Sequence, residues 1–311
     1  MAMFAQMKSF DDVHLHAGAI VGWQQTYDQL STGPVQTVLK HVTGERFQIF
    51  QESLNKRVVQ HGVAPPGRLC LAMPKCGGEL AVFQGKSLGT ESVTLLHSGQ
   101  EFFVQAAEGM DLLAITVEAT RLENLAAREF SDSEMRRLAR LSRLELRQQV
   151  LQTVRKRLED VVTAALQNRF LPEHLLEDLT LECMLDLLDH RVEGDTGRAG
   201  NHMVSAYLVK QSQELALAHN DEPISVLQLC ERLNVSRRTL QRSFQSVTGL
   251  RPVEYLRSVR LNAARRRLRQ TCANQVTVAR IASDFGFTHL GHFSGYYKAL
   301  FGEHPSETPR H

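Results

Sequence analysis

The sequence predicts an α+β protein: an N-terminal antiparallel β-barrel or sandwich, a helical segment, and an all-α C-terminal domain. Between residues 35 and 117, short runs rich in Val, Leu, Ile and Phe alternate with turn signals such as Thr43-Gly44 and Gly77-Gly78. From 121 to 190 the apolar residues recur at helical spacing and glycine is absent. Two similar stretches near the C-terminus, 225–249 and 277–302, each have the pattern of a helix-turn-helix.

Length and charge divide the chain into two parts. With 311 residues, about two domains are expected. The net charge of +2 is uneven: residues 203–311 hold 15 Lys and Arg against 8 Asp and Glu, and the preceding 202 residues hold 21 against 26. A basic C-terminal third on an acidic body is typical of a DNA-binding module joined to another domain.

The N-terminal part is expected to sense a ligand. Residues 20–33 predict a short helix that ends at Gly33 and carries the only tryptophan, Trp23. The strands predicted over 35–117 form a class of barrel that often encloses one small molecule. Residues 1–190 are therefore assigned to effector sensing.

The helical segment over 121–190 carries an apolar stripe that runs from Leu138 to Val161. The stripe can pack on the strands or form the surface of a homodimer, and we favour the homodimer. Residues 191–202 contain three glycines and almost no apolar residue, which predicts a linker. A helix over 205–218, with Tyr207 and Leu208 buried, then opens the DNA-binding domain of residues 203–311.

The first helix-turn-helix is predicted over 225–247. Ser236 suits the N-cap of its second helix, and Leu240, Phe244 and Val247 share the face that turns to a core. The opposite face carries side chains that hydrogen-bond to base edges and phosphates: Arg238, Gln241, Arg242 and Gln245. A solvated charged helix is the alternative, but a second unit in tandem weakens it.

A connector helix over 252–270 joins this unit to the second one, over 277–300. At 1.5 Å per residue it spans roughly 28 Å, and one turn of B-DNA is about 34 Å. It would therefore place the two units in successive major grooves. Its arginines suit phosphates or solvent: Arg257, Arg260, Arg265, Arg266, Arg267 and Arg269.

The C-terminal hundred residues resemble the DNA-binding domain of the AraC/XylS family of transcription regulators. The residues that carry the resemblance are Ser236 to Phe244, Gly249, Pro252, Tyr255-Leu256, Arg260-Leu261, Ala264, Ile281-Ala282, Gly286-Phe287, Phe293, Tyr297-Lys298, Gly302 and Pro305-Ser306. The resemblance implies an operator on double-stranded DNA, RNA polymerase as a partner, and base reading by Arg238, Gln241 and Arg242. We assign backbone contacts to Ser236, Arg237, Gln245, Arg265, Arg266, Arg267, His289 and Lys298.

The second unit departs from the family pattern. Gly295 stands where many members carry arginine, and Gly291 lies on the same face. Because glycine cannot read a base with a side chain, His292 is the remaining candidate reader. The first unit is expected to carry most of the sequence discrimination.

The N-terminal part has a narrower resemblance, to family members that regulate ethanolamine utilisation operons. The residues concerned are 22–30 and 47–52, with 226–240. This implies a small-amine effector such as ethanolamine, with adenosylcobalamin as a second possible effector, and activation of a catabolic operon. A cationic amine needs a carboxylate and aromatic faces, and the candidates are Trp23, Tyr27, Asp28, Phe47, Phe50 and Glu52.

Other functions are less well supported by the sequence. A cupin-like enzyme would need several inward histidines, but His41, His61 and His97 are scattered, and no nucleophile or phosphate-loop motif occurs. Neither a metal site nor a membrane partner is expected, and the chain should be cytoplasmic. An AraC-family regulator of another metabolite, or of virulence or stress genes without an effector, stays open.

Overall fold

The computed structural model describes residues 3–75, 80–167, 171–192, 200–218 and 223–310. Most of the predicted linker, 193–199, lies outside the described residues. The strands are β1 (Phe4–Phe10), β2 (Gln24–Gln29), β3 (Thr37–Thr43), β4 (Phe47–Leu54), β5 (Val58–Val63), β6 (Arg68–Lys75), β7 (Val82–Phe83), β8 (Lys86–Ser87), β9 (Ser92–Leu96), β10 (Glu101–Ala106), β11 (Met110–Glu118) and β12 (Arg143–Glu145).

The helices are α1 (Val13–Gly18), α2 (Ala119–Ala126), α3 (Asp132–Leu138), α4 (Gln148–Leu166), α5 (Glu173–Asp189), α6 (Gly200–Ala218), α7 (Val226–Leu233), α8 (Arg237–Thr248), α9 (Pro252–Arg269), α10 (Val278–Asp284) and α11 (Leu290–Phe301). None of the described helices is long and apolar enough to cross a membrane.

The strands form two open antiparallel sheets. The larger has the order β1-β3-β4-β11-β6-β9-β12, and the smaller has the order β2-β5-β10-β7-β8. The described strands do not close into a barrel. One apolar cluster lies between the sheets, since it draws Leu39, Phe50 and Ala114 from the larger sheet and Tyr27 and Phe102 from the smaller.

The helix predicted over 20–33 is wrong. Residues 24–29 form β2, which pairs antiparallel with β5 from Gln24↔Val63 to Gln29↔Val58. The helix lies earlier, at 13–18, where the Asp12 side chain caps it by accepting from the backbone N–H groups of His14 and Leu15. Pairing with β5 along the whole strand overrides the local helical pattern of 20–33.

The outer face of the larger sheet is covered by helices α2 to α5. Leu151, Val154 and Leu158 of α4 are buried in one cluster with Ile49 and Ile115 of the sheet. The apolar stripe, for which we favoured a homodimer surface, is therefore buried against the strands of the same chain, which was the alternative. A homodimer would need a different surface.

The C-terminal part contains two helix-turn-helix units, α7 with α8 and α10 with α11, joined by α9. Helix α9 begins with Pro252 at its first turn and has 18 residues, which corresponds to about 27 Å. Asn234 adopts a left-handed conformation, φ 52°, at the turn between α7 and α8. In α6, Leu208 is buried as expected, but Tyr207 is exposed.

Candidate DNA-binding face and effector cavity

The exposed face of α8 carries the predicted base-reading residues. Arg238, Gln241 and Arg242 are all exposed, because Leu240 and Phe244 on the opposite face are completely buried. The helix begins at the expected cap, where Ser236 Oγ accepts from the backbone N–H of Thr239 at 3.1 Å. This face offers five-donor guanidinium groups and an amide, which match the hydrogen-bonding edges of bases in a major groove.

The backbone contacts predicted for α8 and for Arg267 of α9 are also at exposed residues. Arg237 and Gln245 are exposed, and Gln245 Nε2 donates to the Gly249 carbonyl at 3.3 Å. Arg267 of α9 is also exposed.

In the second unit, His289 and His292 are exposed and their rings meet edge to face at 5.6 Å. Lys298 Nζ lies 3.0 Å from His304 Nε2. The ring of Tyr296, a residue not predicted as a contact from the sequence, stacks beneath the Arg257 guanidinium at 4.2 Å. Its place on the exposed face, one turn after His292, was readable from the helical period.

Two of the arginines assigned to phosphate contacts face the N-terminal part of the protein instead. Arg265 Nε lies 2.7 Å from Asp12 Oδ2 and its Nη1 lies 2.6 Å from Glu303 Oε1. Arg266 Nη1 lies 2.5 Å from Asp28 Oδ1. The expectation for Arg265 and Arg266 fails in this conformation, because α9 packs on β2 and carboxylates already hold both guanidinium groups.

Asp28 is not an effector ligand in this structure, because the DNA-binding part encloses it. Its carboxylate is completely buried and also accepts from Gln213 Nε2 at 3.0 Å. Gln213 accepts in turn from the Tyr255 hydroxyl at 2.7 Å. Burial alone would raise the pKa of Asp28, but the charge of Arg266 and a hydrogen bond from His61 outweigh it and lower that pKa.

The side-chain amide of Asn262 also joins the two parts, through two hydrogen bonds to the backbone of Gln29. Asn262 of α9 accepts from the Gln29 backbone N–H at 2.9 Å and donates to the Gln29 carbonyl at 2.9 Å. Its side-chain amide thus satisfies the last residue of β2, much as a neighbouring strand would. Apolar residues of both parts, Leu30, Val59 and Phe103 with Val209 and Phe244, share one buried cluster.

A cavity of about 530 Å³, a volume that includes its open mouth, lies between the two sheets. Four of the six predicted effector residues line it: Trp23, Tyr27, Phe50 and Glu52. Phe47 does not, because it points to the opposite face of its sheet and packs with the helices. The remaining lining is mostly apolar and comprises Gln25, Gln60, Ala72, Pro74, Ala81, Phe83, Leu88, Thr94, Leu96, Phe102, Val104, Met110, Leu112 and Ala114.

Glu52 supplies the carboxylate of the cavity and is 1% exposed. Its Oε2 accepts from the Tyr27 hydroxyl at 2.8 Å and lies 3.0 Å from His16 Nε2. The second ring nitrogen of His16 lies 2.8 Å from Thr37 Oγ1. Burial, followed by the negative charge of Glu52, raises the pKa of Tyr27 well above its ordinary value, so the phenol stays neutral and donates.

The smaller sheet separates the cavity from the DNA-binding part. Tyr27 of β2, Gln60 of β5 and Phe102 of β10 line the cavity. Asp28 contacts Arg266 and Gln213 on the other side, and Val59 and Phe103 belong to the cluster shared with α8. Successive residues of a strand point to opposite faces, so each of these strands contacts both a ligand space and the DNA-binding helices.

The family model and the relatives named below match about the C-terminal third of the chain. Residues 229–311 match the family model of a helix-turn-helix domain. The chain is 36% identical over 103 residues to a probable thc operon regulatory protein of Rhodococcus erythropolis. The aligned residues make up 33% of this chain and 31% of that protein. It is 39% identical over 85 residues to the XylDLEGF operon transcriptional activator 2 of Pseudomonas putida, which covers 27% of this chain and 54% of that protein.

Among solved structures, a probable AraC family transcriptional regulator from Rhodopseudomonas palustris is 35% identical. The match covers 33% of this chain and 94% of that chain, with a TM-score of 0.30. The chain thus spans about a third to a half of the length of the curated relatives it matches here.

Proposed function

We propose that this chain, whose C-terminal third is an AraC/XylS-family helix-turn-helix domain, is a DNA-binding regulator of transcription that responds to a small molecule. One observation carries the proposal. The sheet of β2, β5 and β10 borders the cavity on one face and the DNA-binding helices on the other. A ligand that shifts Tyr27 moves the strand that also carries Asp28, the partner of Arg266.

The first unit reads the sequence in this proposal. Arg238, Gln241 and Arg242 enter the major groove, with Ser236, Arg237 and Gln245 at the flanking phosphates and Arg267 on the backbone. His289, His292 and Lys298 of the second unit make weaker contacts, since Gly291 and Gly295 leave open space beside them.

The DNA half is tested by titration of the full chain on its operator and on scrambled DNA. The operator is first obtained by genome-wide mapping of bound sites. Gln241→Ala should remove one base contact and so lower the affinity for the operator roughly 5- to 150-fold. Its affinity for scrambled DNA should stay unchanged. Arg267→Ala should weaken both DNAs alike and reduce the salt dependence by about one phosphate. If the two variants behaved identically on both DNAs, the division into base and backbone contacts would be wrong.

For the effector, we propose a small amine, with ethanolamine as the first compound to test. Its ammonium group would sit at the Glu52 carboxylate beside the rings of Tyr27 and Phe50. The regulated genes would form a catabolic operon that the protein activates as a homodimer with RNA polymerase. We do not propose a cobamide, because His16, the histidine beside the Glu52 carboxylate, is already held by Glu52 and Thr37.

A thermal-shift series tests the effector. A ligand that binds only the native state raises its stability in proportion to the logarithm of the ligand concentration. Ethanolamine and larger amines should raise the melting temperature of the wild type and have less effect on Glu52→Gln. A complete lack of response to amines would exclude the amine effector but leave the DNA-binding assignment standing. It would leave two alternatives: a regulator of another metabolite, or a regulator of virulence or stress genes without an effector.

A further inference from the structure

Two hydrogen-bond donors on residues that line the cavity have no acceptor among the residues that the structure describes. Within the part of the chain that the structure describes, neither Gln60 Nε2 nor Trp23 Nε1 has an acceptor within hydrogen-bond distance, and both atoms are buried. Both residues line the cavity, and Gln60 is only 3% exposed. A buried donor without an acceptor costs roughly 1–3 kcal/mol, so such groups in a cavity point to the ligand that completes them.

The neighbouring polar groups are already engaged, which separates them from these two donors. Glu52 holds Tyr27 and His16, and Gln25 Nε2 donates to the Ala17 carbonyl at 3.4 Å. The register pairs Gln60 with Tyr27 in the smaller sheet, whereas Glu52 belongs to β4 of the larger sheet. The Gln60 donor and the Glu52 carboxylate therefore come from the two different walls of the cavity.

The rest of the lining is mostly apolar and would face the apolar part of a ligand. Phe50, Phe83, Phe102, Leu96 and Met110 all contribute side chains. The Trp23 ring meets those of Phe50 and Phe102 edge to face, at 5.9 and 5.6 Å. An aromatic or branched aliphatic group buried among them would gain about 25 cal/mol for each Å² removed from water.

We propose that the ligand of this cavity carries a hydrogen-bond-accepting oxygen, a carbonyl or a carboxylate, on an apolar body, with Gln60 Nε2 as its donor and Trp23 Nε1 as a second donor. The proposal rests on the proposed ligand-responsive function and narrows the chemical class of the effector. For an amine effector it adds a requirement, because an acceptor oxygen must face Gln60 while the ammonium group faces Glu52.

Trp23 is the only tryptophan of the chain, so its fluorescence reports directly on the cavity. Four probes share one phenyl body: phenylacetamide and phenylacetate carry an acceptor oxygen, 2-phenylethylamine carries an ammonium group, and ethylbenzene carries neither. Titration of the full chain should give phenylacetamide or phenylacetate a Kd about 3- to 10-fold lower than that of ethylbenzene, the effect of one hydrogen bond. Binding of 2-phenylethylamine reports separately on the Glu52 carboxylate of the proposed amine site.

Gln60→Leu keeps the approximate shape of the side chain and removes the donor. It should abolish this preference while its fluorescence still responds to ethylbenzene. Gln25→Leu is the matched control, since its amide already has an acceptor, and it should keep the preference. Circular dichroism and thermal unfolding establish that both variants fold.

The wild-type ranking decides the proposal even if Gln60→Leu does not fold. Equal or tighter binding of ethylbenzene would overturn it, and so would a preference that survives in Gln60→Leu. If no probe bound, the proposed ligand class would also be wrong. Operator titration on the same protein keeps this separate from the proposed function, because specific DNA binding without probe binding would reject the ligand class alone.

Discussion

At the residue scale, Gly286, in the turn of the second helix-turn-helix, adopts a left-handed backbone conformation and lies close to Pro223. Gly286 has φ +73°, and a Cβ atom at this position would lie 2.7 Å from Pro223 Cγ and 3.2 Å from an Arg260 guanidinium nitrogen. Gly295, on the exposed face of α11, has no atom within 4 Å of its Cβ position. The sequence does not distinguish these two glycines. The structure shows that a side chain would be strained at Gly286 and would fit at Gly295.

We therefore predict opposite effects for two glycine substitutions. Gly286→Ala should lower the free energy of unfolding by about 1–3 kcal/mol, through backbone strain and the contact with Pro223. Gly295→Ala should raise it by up to about 1 kcal/mol, because alanine is the better helix former. Urea denaturation measures both, and a Gly286→Ala protein as stable as the wild type would contradict the assignment.

His41 gives a residue-scale prediction for pH. The side chain is fully buried, and burial lowers its pKa to about 4 from an ordinary value of 6.5. The unfolded chain therefore takes up this proton first as the pH falls, so stability is lost between pH 6.5 and about 4. The loss should reach about 3 kcal/mol.

In His41→Gln this part of the pH dependence should disappear. Denaturation at several pH values between 7 and 4 measures the slope directly. A variant with the wild-type slope in this window would show that another group is responsible.

At the scale of the element, local sequence signals define the first helix-turn-helix well. Ser236 caps α8 as the sequence predicts, and Ser225 caps α7. The strands over 35–117 are likewise predicted by their apolar runs. β2 is not, because its apolar spacing also fits a helix and only the partner strand β5 decides between them.

The cap of α8 yields a prediction for this element. Ser236→Ala removes the acceptor of the Thr239 backbone N–H and should cost about 0.5–2 kcal/mol. Ser246→Ala, on the same helix and exposed, is the control and should stay within about 0.5 kcal/mol. Equal losses in the two variants would mean that the cap contributes nothing specific.

At the scale of the whole molecule, two buried carboxylates of the N-terminal part hold arginines of the connector helix. Asp12 and Asp28 are 3% and 0% exposed, and they pair with Arg265 and Arg266. Asp12 also caps α1, whose His16 reaches Glu52 in the cavity. The cavity and the connector helix are therefore linked by α1 as well as by β2.

A double-mutant cycle on Asp28→Asn and Arg266→Gln tests this contact. Arg266→Gln leaves the fully buried Asp28 carboxylate without this partner, which should cost about 3–5 kcal/mol. Asp28→Asn leaves Arg266, which is 17% exposed, and should cost less. The double variant should recover part of the loss, with a coupling energy of roughly 0.5–3 kcal/mol. Because the pKa of Asp28 is lowered in the folded state, its contribution is present above the ordinary carboxyl pKa and falls as acid protonates it. Additive losses would indicate that the pair is not coupled.

The sequence by itself determined the tandem helix-turn-helix units, the Ser236 cap and the exposed face of α8, because these depend on contacts between residues a few positions apart. Of the six residues predicted to bind an effector, Trp23, Tyr27, Phe50 and Glu52 line the cavity, whereas Phe47 and Asp28 face away from it. Only the tertiary structure decided that Arg265 and Arg266 face carboxylates rather than solvent, and that Gln60 lines the cavity with a donor that has no acceptor among the described residues. The physical reason is that strand alternation fixes which residues share a face, but not which face meets the core, a ligand or another domain.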